Sequence, residues 1–321
     1  MNKTLWKKNL SCLIVILFLV SVSSWAQRTR VEKPHGSLLG EISYDGHKRA
    51  YLIHLPPSYA ETRPTPLVIA LHGSRGSGRK MEELSGLSRQ SDKSDFIVVY
   101  PDAIERNWND GRNVQKYFSH REKIDDVGFI SALIDALVRE FNVDRRRIYV
   151  TGVSNGALMA HRLACEMADK IAAIAPVIGA MPENMVKQCS PAKPIPLLMI
   201  NGTKDPFVPW NGGYIQVRGE KRGRILSVPD TLYFWISHNS CSSKPRIVME
   251  PDLDSNDGTR VRKIAYEGCN EGAAILLYEI QGGGHTWPRG QKYLPEFLIG
   301  KTSQDIDGAE IIWEFFRKYT R

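Results

Sequence analysis

The stretch Arg147 to Ala164, RIYVTGVSNGALMAHRLA, constrains the fold more than any other part of the chain. Ile148, Tyr149, Val150 and Thr151 are β-branched or aromatic, as a central strand prefers, and the run stops at Gly152. From Asn155 good helix formers follow, with Leu158, Met159, Leu163 and Ala164 spaced to give one apolar face. A strand joined to a helix through Gly152-Val153-Ser154-Asn155-Gly156 must reverse sharply at Ser154. That turn demands strained backbone angles, and the chain packs so closely there that glycine is needed on both sides. The Ser154 hydroxyl then projects clear of the backbone, and the Asn155 N–H, at a helix start, faces the place where an oxyanion would form.

Around this element the hydrophobic pattern arranges a single α/β domain over residues 38–321, a length and a 42% hydrophobic content that suit one sizeable core. Leu38 to Tyr44 and Arg49 to Leu55 alternate as strands around the hairpin pair Asp45-Gly46. Leu67 to Leu71 and Phe96 to Tyr100 are continuous apolar runs, expected of strands buried on both faces. Met81 to Asp92 and Val127 to Phe141 carry helical periodicity, the second starting at Asp125-Asp126. Ile171 to Val177, Leu197 to Ile200 and Ala274 to Ile280 are further strands, Pro229 to His238 and Ile306 to Tyr319 further helices. Alternation of strand and helix predicts a mostly parallel sheet covered by helices on both faces. Residues 210 to 224 are expected to be irregular, with Arg218, Lys221, Arg222 and Arg224 as solvated charge.

Three residues follow predicted buried strands in the order nucleophile, acid, base: Ser154, Asp205 and His285. That is the chain order of the α/β-hydrolase fold, in which G-x-S-x-G on a strand-turn-helix marks the nucleophile. Strand carboxyl ends gather at one edge of a parallel sheet, so distant residues meet there. Gly73 to Lys80 nearly spells a phosphate-binding loop but has Arg79 where lysine is required and Lys80 where Ser or Thr is. As the loop after the strand Leu67 to Leu71 it suits a second oxyanion donor, the backbone N–H of Ser74, alongside that of Asn155. His72, at the same strand end, reads as a hydrogen-bonded core residue and stands second to His285 as a base. Trp108, in the long loop Ala103 to Ser119, and Trp287 are candidates to stack on a sugar or phenolic ring.

The first 26 residues have the form of a signal peptide: Lys3, Lys7 and Lys8, the apolar run Leu10 to Val22, and Ser24-Trp25-Ala26 before the cleavage point. Its removal takes three lysines and no acid, lowering the net charge from +8 to +5, and leaves residues 27–37 as a polar tail. No basic stripe interleaved with aromatics accompanies that charge, so neither a nucleic-acid partner nor, after cleavage, a membrane is expected. Cys165, Cys189, Cys241 and Cys269 remain, an even count in a chain bound for an oxidising secreted or periplasmic compartment. Of three pairings, order along the chain favours Cys165 with Cys189 and Cys241 with Cys269. Pro251 to Gly258 fails as a calcium loop, because Asp257 occupies the glycine position and Lys263 the glutamate position, so no metal is expected.

LHGSRGSG, GVSNGALMAHRLA, NGTKDPFVPWNGG and GGGHTWP resemble the motifs of the polyhydroxybutyrate depolymerase and feruloyl or acetylxylan esterase group, the first family of carbohydrate esterases. The similarity runs from about Leu38 to Tyr319. It implies an α/β-hydrolase fold and secreted ester hydrolysis without a cofactor. It further implies Ser154, Asp205 and His285 as the triad, with the Ser74 and Asn155 amides as the oxyanion hole. Ser74 departs from the cysteine or glycine that several relatives carry there. The substrate expected first is a feruloyl or acetyl ester of plant polysaccharide, and second a short hydroxyalkanoate ester. A peptidase of the same fold would carry a larger β-domain, and a non-catalytic binding protein would have lost a triad residue.

Overall fold

The structure is a computed structural model that describes residues 35–242 and 244–321, so the signal peptide and most of the polar tail lie outside the described residues. The chain opens with β1 (Gly36–Tyr44) and β2 (His47–Leu55), then β3 (Thr65–Leu71), α1 (Gly78–Ser85), α2 (Leu87–Ser94), β4 (Ile97–Pro101) and the short α3 (Phe118–Arg121). It continues with α4 (Asp126–Glu140), β5 (Val143–Val153), α5 (Asn155–Glu166), β6 (Ala173–Val177), β7 (Leu197–Gly202), β8 (Gly213–Val217) and β9 (Glu220–Ile225). Last come α6 (Val228–His238), β10 (Arg246–Met249), β11 (Arg260–Tyr266), β12 (Ile275–Gln281), α7 (Glu296–Ile299) and α8 (Gly308–Phe316).

Ten strands form one sheet in the order β1-β2-β4-β3-β5-β6-β7-β12-β11-β10. The pairings from β4 through β3, β5, β6 and β7 to β12 are parallel, and the hairpins at both margins are antiparallel. Strand alternation divides the core into two layers. Leu67, Ile69 and Leu71 of β3 face one layer with Phe129 and Leu133 of α4, Leu158 and Leu163 of α5 and Trp235 of α6. Val68 and Ala70 face the other, with Met81 and Leu87 of α1 and α2 and Ile312, Trp313 and Phe316 of α8. All seven residues of β3 and all five of β4 are buried, which is why Leu67 to Leu71 and Ile97 to Val99 are unbroken apolar runs.

Two expectations need correction. The helix expected over Met81 to Asp92 is two helices, because Gly86 adopts φ +67 and ends the first with its N–H on the Glu82 carbonyl. The segment expected to be irregular is the hairpin β8–β9, turned by Arg218 and Gly219, both at positive φ. Of its basic residues Arg218, Lys221 and Arg224 are exposed, as expected of solvated charge, and Arg222 is the exception. Lys221 and Arg224 lie 4.4 and 5.0 Å from the centre of the Tyr214 ring, while Arg222 is buried. Cys165–Cys189 and Cys241–Cys269 are disulfide-bonded, each closing a loop worth about 3 kcal/mol in the chain-entropy picture.

His161, on the buried face of α5, accepts a hydrogen bond at Nδ1 from Trp235 Nε1 (3.1 Å), while its Nε2 has no partner among the described residues. Burial pushes its pKa down to about 3. The unfolded chain binds a proton at this residue below about pH 6.5, whereas the folded chain stays neutral, so the group's contribution is intact above that pH and is lost as pH falls towards 3. Each pH unit in this window removes about 1.4 kcal/mol. His161→Gln keeps an acceptor for Trp235 without a titrating group, so between pH 7 and 4.5 it should lose about 2–3 kcal/mol less stability than the parent in urea unfolding. Equal losses would show that His161 does not drive acid unfolding.

Candidate active site

At the end of β5, Ser154 adopts φ 56 and ψ −118, a conformation that side-chain-bearing residues avoid unless their surroundings impose it. The imposing contacts are backbone to backbone. A Cβ on Gly156 would lie 2.3 Å from the Leu71 carbonyl oxygen and 2.7 Å from that of His72, and one on Gly152 would lie 2.4 Å from the Gly156 carbonyl oxygen. Glycine on both sides of the serine therefore lets α5 descend onto the end of β3. The Ser154 N–H donates to the Val177 carbonyl of β6 (3.1 Å), and its own carbonyl accepts from Leu158 (3.0 Å). The hydroxyl is left free: among the described residues it enters no hydrogen bond, and Ser154 is half-buried.

Asp205 and His285 meet at the same sheet edge, after β7 and β12. Asp205 Oδ2 is 2.6 Å from His285 Nδ1, and both side chains are almost wholly buried. The other carboxylate oxygen accepts from the backbone N–H groups of Phe207 and Val208, each at 2.8 Å. An acceptor with both oxygens occupied in this way holds the histidine proton on Nδ1 and leaves Nε2 as the basic nitrogen. The loops are laced together before the side chains meet. Lys204 N–H donates to the Gly283 carbonyl (2.9 Å) and Gly282 N–H to Thr203 Oγ1 (2.9 Å). His285 N–H donates to the Ile299 carbonyl (2.6 Å), and the Tyr293 hydroxyl donates to the His285 carbonyl (2.8 Å). The glycine triplet is thus close-packed, since a Cβ on Gly284 would fall 2.1 Å from the Ile299 carbonyl oxygen.

The loop after β3 lies against the Gly152 to Gly156 turn, the elbow that carries Ser154, where a Cβ on Gly73 would come 3.4 Å from Ser154 Cβ. Among the described residues the N–H groups of Ser74 and Asn155 are not spent on other bonds. His72 is fully engaged: Nε2 accepts from the Ala103 N–H (3.1 Å), so Nδ1 carries the proton and donates to the Gly73 carbonyl (2.7 Å). Burial holds its pKa below the usual histidine range. It shapes this loop and has no nitrogen left for a serine proton.

The two tryptophans are not where the sequence suggested. Trp108 is fully buried, its Nε1 donating to the His72 carbonyl (2.9 Å) and its backbone N–H to Asn155 Oδ1 (2.8 Å). Trp287 is 1% exposed and packs against the first residue of α8, where a Cβ on Gly308 would lie 2.6 Å from its indole nitrogen. Neither indole offers a face to a substrate. Among the described residues the exposed aromatic side chains of the segment bonded to the His285 backbone are Tyr293 and Phe297. A short run of apolar residues in a polar loop, YLPEFLI, is the only sequence signal they leave.

A family model described as "Esterase PHB depolymerase" matches residues 49–186. The putative esterase NocK of Nocardia uniformis subsp. tsuyamanensis is 28% identical over 282 residues, covering 86% of this chain and 81% of that protein. Feruloyl esterase B of Piromyces equi is 29% identical over 74% of this chain, which spans only 42% of that protein's length. Among solved structures, the acetyl xylan esterase from Aspergillus awamori superposes with a TM-score of 0.55 at 15% identity, covering 87% of this chain and 99% of that one, a likeness of fold.

The contact between elbow and β3 generates a prediction. Gly156→Ala forces a methyl into two carbonyl oxygens that cannot move independently, so it should lower stability by about 2 kcal/mol or more. Thermal and urea unfolding measure it, and a change under about 0.5 kcal/mol, ordinary for a surface site, would refute the close packing.

Proposed function

We propose that this carboxylic ester hydrolase, whose residues 49–186 belong to the esterase PHB depolymerase family, works through an acyl-enzyme on Ser154 in a single domain spanning residues 38–321. The carrying observation is the 2.6 Å Asp205–His285 pair, locked by two backbone amides at the sheet edge where Ser154 stands in a strained turn. In this reading Ser154 Oγ attacks the ester carbonyl carbon while His285 Nε2 takes its proton. The carbonyl π electrons move onto oxygen, and the Ser74 and Asn155 N–H groups hold the resulting oxyanion. Collapse breaks the bond to the alcohol, which leaves with the proton from His285. Water then repeats the attack on the acyl-serine, giving the acid and free Ser154. Asp205 holds the imidazole tautomer and balances the charge of the imidazolium. Every step uses side chains and amides of this chain.

The substrate placed first is a feruloyl or acetyl ester of plant polysaccharide, supported by the likeness to the Piromyces equi feruloyl esterase and by the exposed Tyr293 and Phe297 beside the base. A hydroxyalkanoate ester is second, favoured by the apolar character of the same segment, where Leu294 and Leu298 are also exposed. Two disulfides support residence in an oxidising compartment, periplasmic or extracellular.

Turnover of methyl ferulate, acetylated xylan and hydroxybutyrate oligomers by the parent and Ser154→Ala tests the reading. The parent should favour the ferulate or acetyl esters, and the variant should lose about 10³-fold or more in kcat with its melting temperature nearly unchanged. Activity within tenfold of the parent would remove Ser154 from the mechanism. Asp205→Asn, which keeps the shape but cannot hold the same tautomer, should lose about 10⁴-fold.

A further inference from the structure

The segment between β4 and α4 is polar in sequence yet enters the interior: Trp108, Asp110 and Arg112 are buried, and Asn107 is 9% exposed. Burying charge is unfavourable unless its polar atoms are matched, and those of Asp110 and Arg112 are, whereas Arg49 Nε nearby has no hydrogen-bond partner among the described residues. Asp110 accepts from Arg112 Nε (2.9 Å), Arg112 Nη2 (2.7 Å), the Arg112 backbone N–H (3.1 Å) and Asn155 Nδ2 (2.6 Å). Arg112 Nη1 donates onward to the Arg222 carbonyl (2.7 Å). His120 Nδ1 accepts from the Val114 N–H, so its Nε2 carries the proton and donates to the Trp108 carbonyl (3.0 Å). Asn109 N–H donates to Asp126 Oδ2 (2.7 Å), and the other oxygen of Asp126 pairs with buried Arg49 at 2.6 Å.

From these anchors the segment reaches both halves of the proposed oxyanion hole. The Asn155 side chain is held at both ends: Oδ1 accepts from the Trp108 N–H, and Nδ2 donates to the Trp108 carbonyl (3.1 Å) and to Asp110. On the other side, Trp108 Nε1 donates to the His72 carbonyl, His72 donates to the Gly73 carbonyl, and the Ser74 hydroxyl donates to Asn107 Oδ1. One rigid residue, Trp108, therefore has its backbone fixed to the residue after the nucleophile and its ring fixed to the loop that carries Ser74.

We infer that Asn107 to Arg112 is a strap that sets the spacing of the two oxyanion donors, with Trp108 and Asp110 as positioning residues for ester hydrolysis. The inference rests on the reading of Ser74 and Asn155 given above. Its physical basis is geometric. An oxyanion needs both N–H groups at about 2.7–3.1 Å, and removal of one donor costs about 10²- to 10³-fold in kcat. A misplacement of about 1 Å far from the chemistry can cost about 10²-fold. The planar ester ground state makes weaker demands on the same donors, so loosening the strap lowers kcat and spares KM.

Trp108→Phe keeps a ring in the core and deletes the Nε1 donor. It should lower kcat about 10- to 100-fold with KM within about threefold, and weaken inhibition by phenylboronic acid, whose tetrahedral serine adduct places an oxygen between the donors, by the same factor as kcat/KM. Ser74→Ala is the second variant, because it retains the proposed N–H, lies on the surface and cuts only the tie to Asn107. It should show the same pattern at about three- to tenfold. If Trp108→Phe does not fold, Ser74→Ala decides. Full kcat in the folded variants, or a loss confined to KM with boronate affinity unchanged, would overturn the strap. A parent whose turnover or boronate binding survives Ser154→Ala would overturn the underlying reading, and the strap with it. A Ser154-dependent parent with unaffected variants would overturn the strap alone.

Discussion

The contact on which the rest depends is the seating of the elbow on the end of β3. Ser154 holds an unfavourable backbone conformation of the kind that costs about 1–3 kcal/mol, and it persists because α5 and the β3 loop touch through main chain. Remove the glycines and the helix must lift away, relaxing the serine and separating Asn155 from Ser74. The same seating goes with burial on both faces of β3, β6 and the Ile148 to Val153 end of β5. A main-chain contact this close tolerates little relative movement, so the strands beneath it are fixed by helices on either side.

Asp205 and His285 obey a related logic with different means. Gly202 at the end of β7 and the Gly283-Gly284 turn after β12 also meet through backbone, for a Cβ on Gly202 would lie 2.4 Å from the Gly283 carbonyl oxygen. The His285 loop is anchored by the buried Trp287 and tied by Tyr293. His285 thus receives its position from three directions before Asp205 fixes its tautomer. In the proposed mechanism an imidazole that is already placed loses little freedom on reaching the transition state, which is what preorganisation means for a proton-transfer group.

Much of this was legible in the sequence, and where it was not the reason is specific. Continuous apolar runs marked β3, β4, β6 and β7, because a strand buried on both faces is apolar along most of its length. The elbow was legible because its glycines answer a local constraint. Trp108 and Trp287 were not, since an indole in a polar loop gives no sign of whether it turns inward. That depends on partners such as His72, Asn155 and Gly308, which only the tertiary structure supplies. Asp110 and Arg112, two positions apart in the same polar loop, gave no sign in the sequence of pairing in the interior. The hairpin β8–β9 hid behind a basic composition whose turn, Arg218-Gly219, lacks the usual Asn or Asp.

The central claim is that the folded chain, and nothing added to it, makes Ser154 a nucleophile. Treating the native protein with a p-nitrophenyl phosphonate ester and mapping the product by mass spectrometry tests it most directly. The account predicts one phosphonyl group per chain, located on Ser154, and none when the protein is unfolded before treatment. Modification of a different residue, or equal labelling of Ser154 in the folded and unfolded chain, would contradict it.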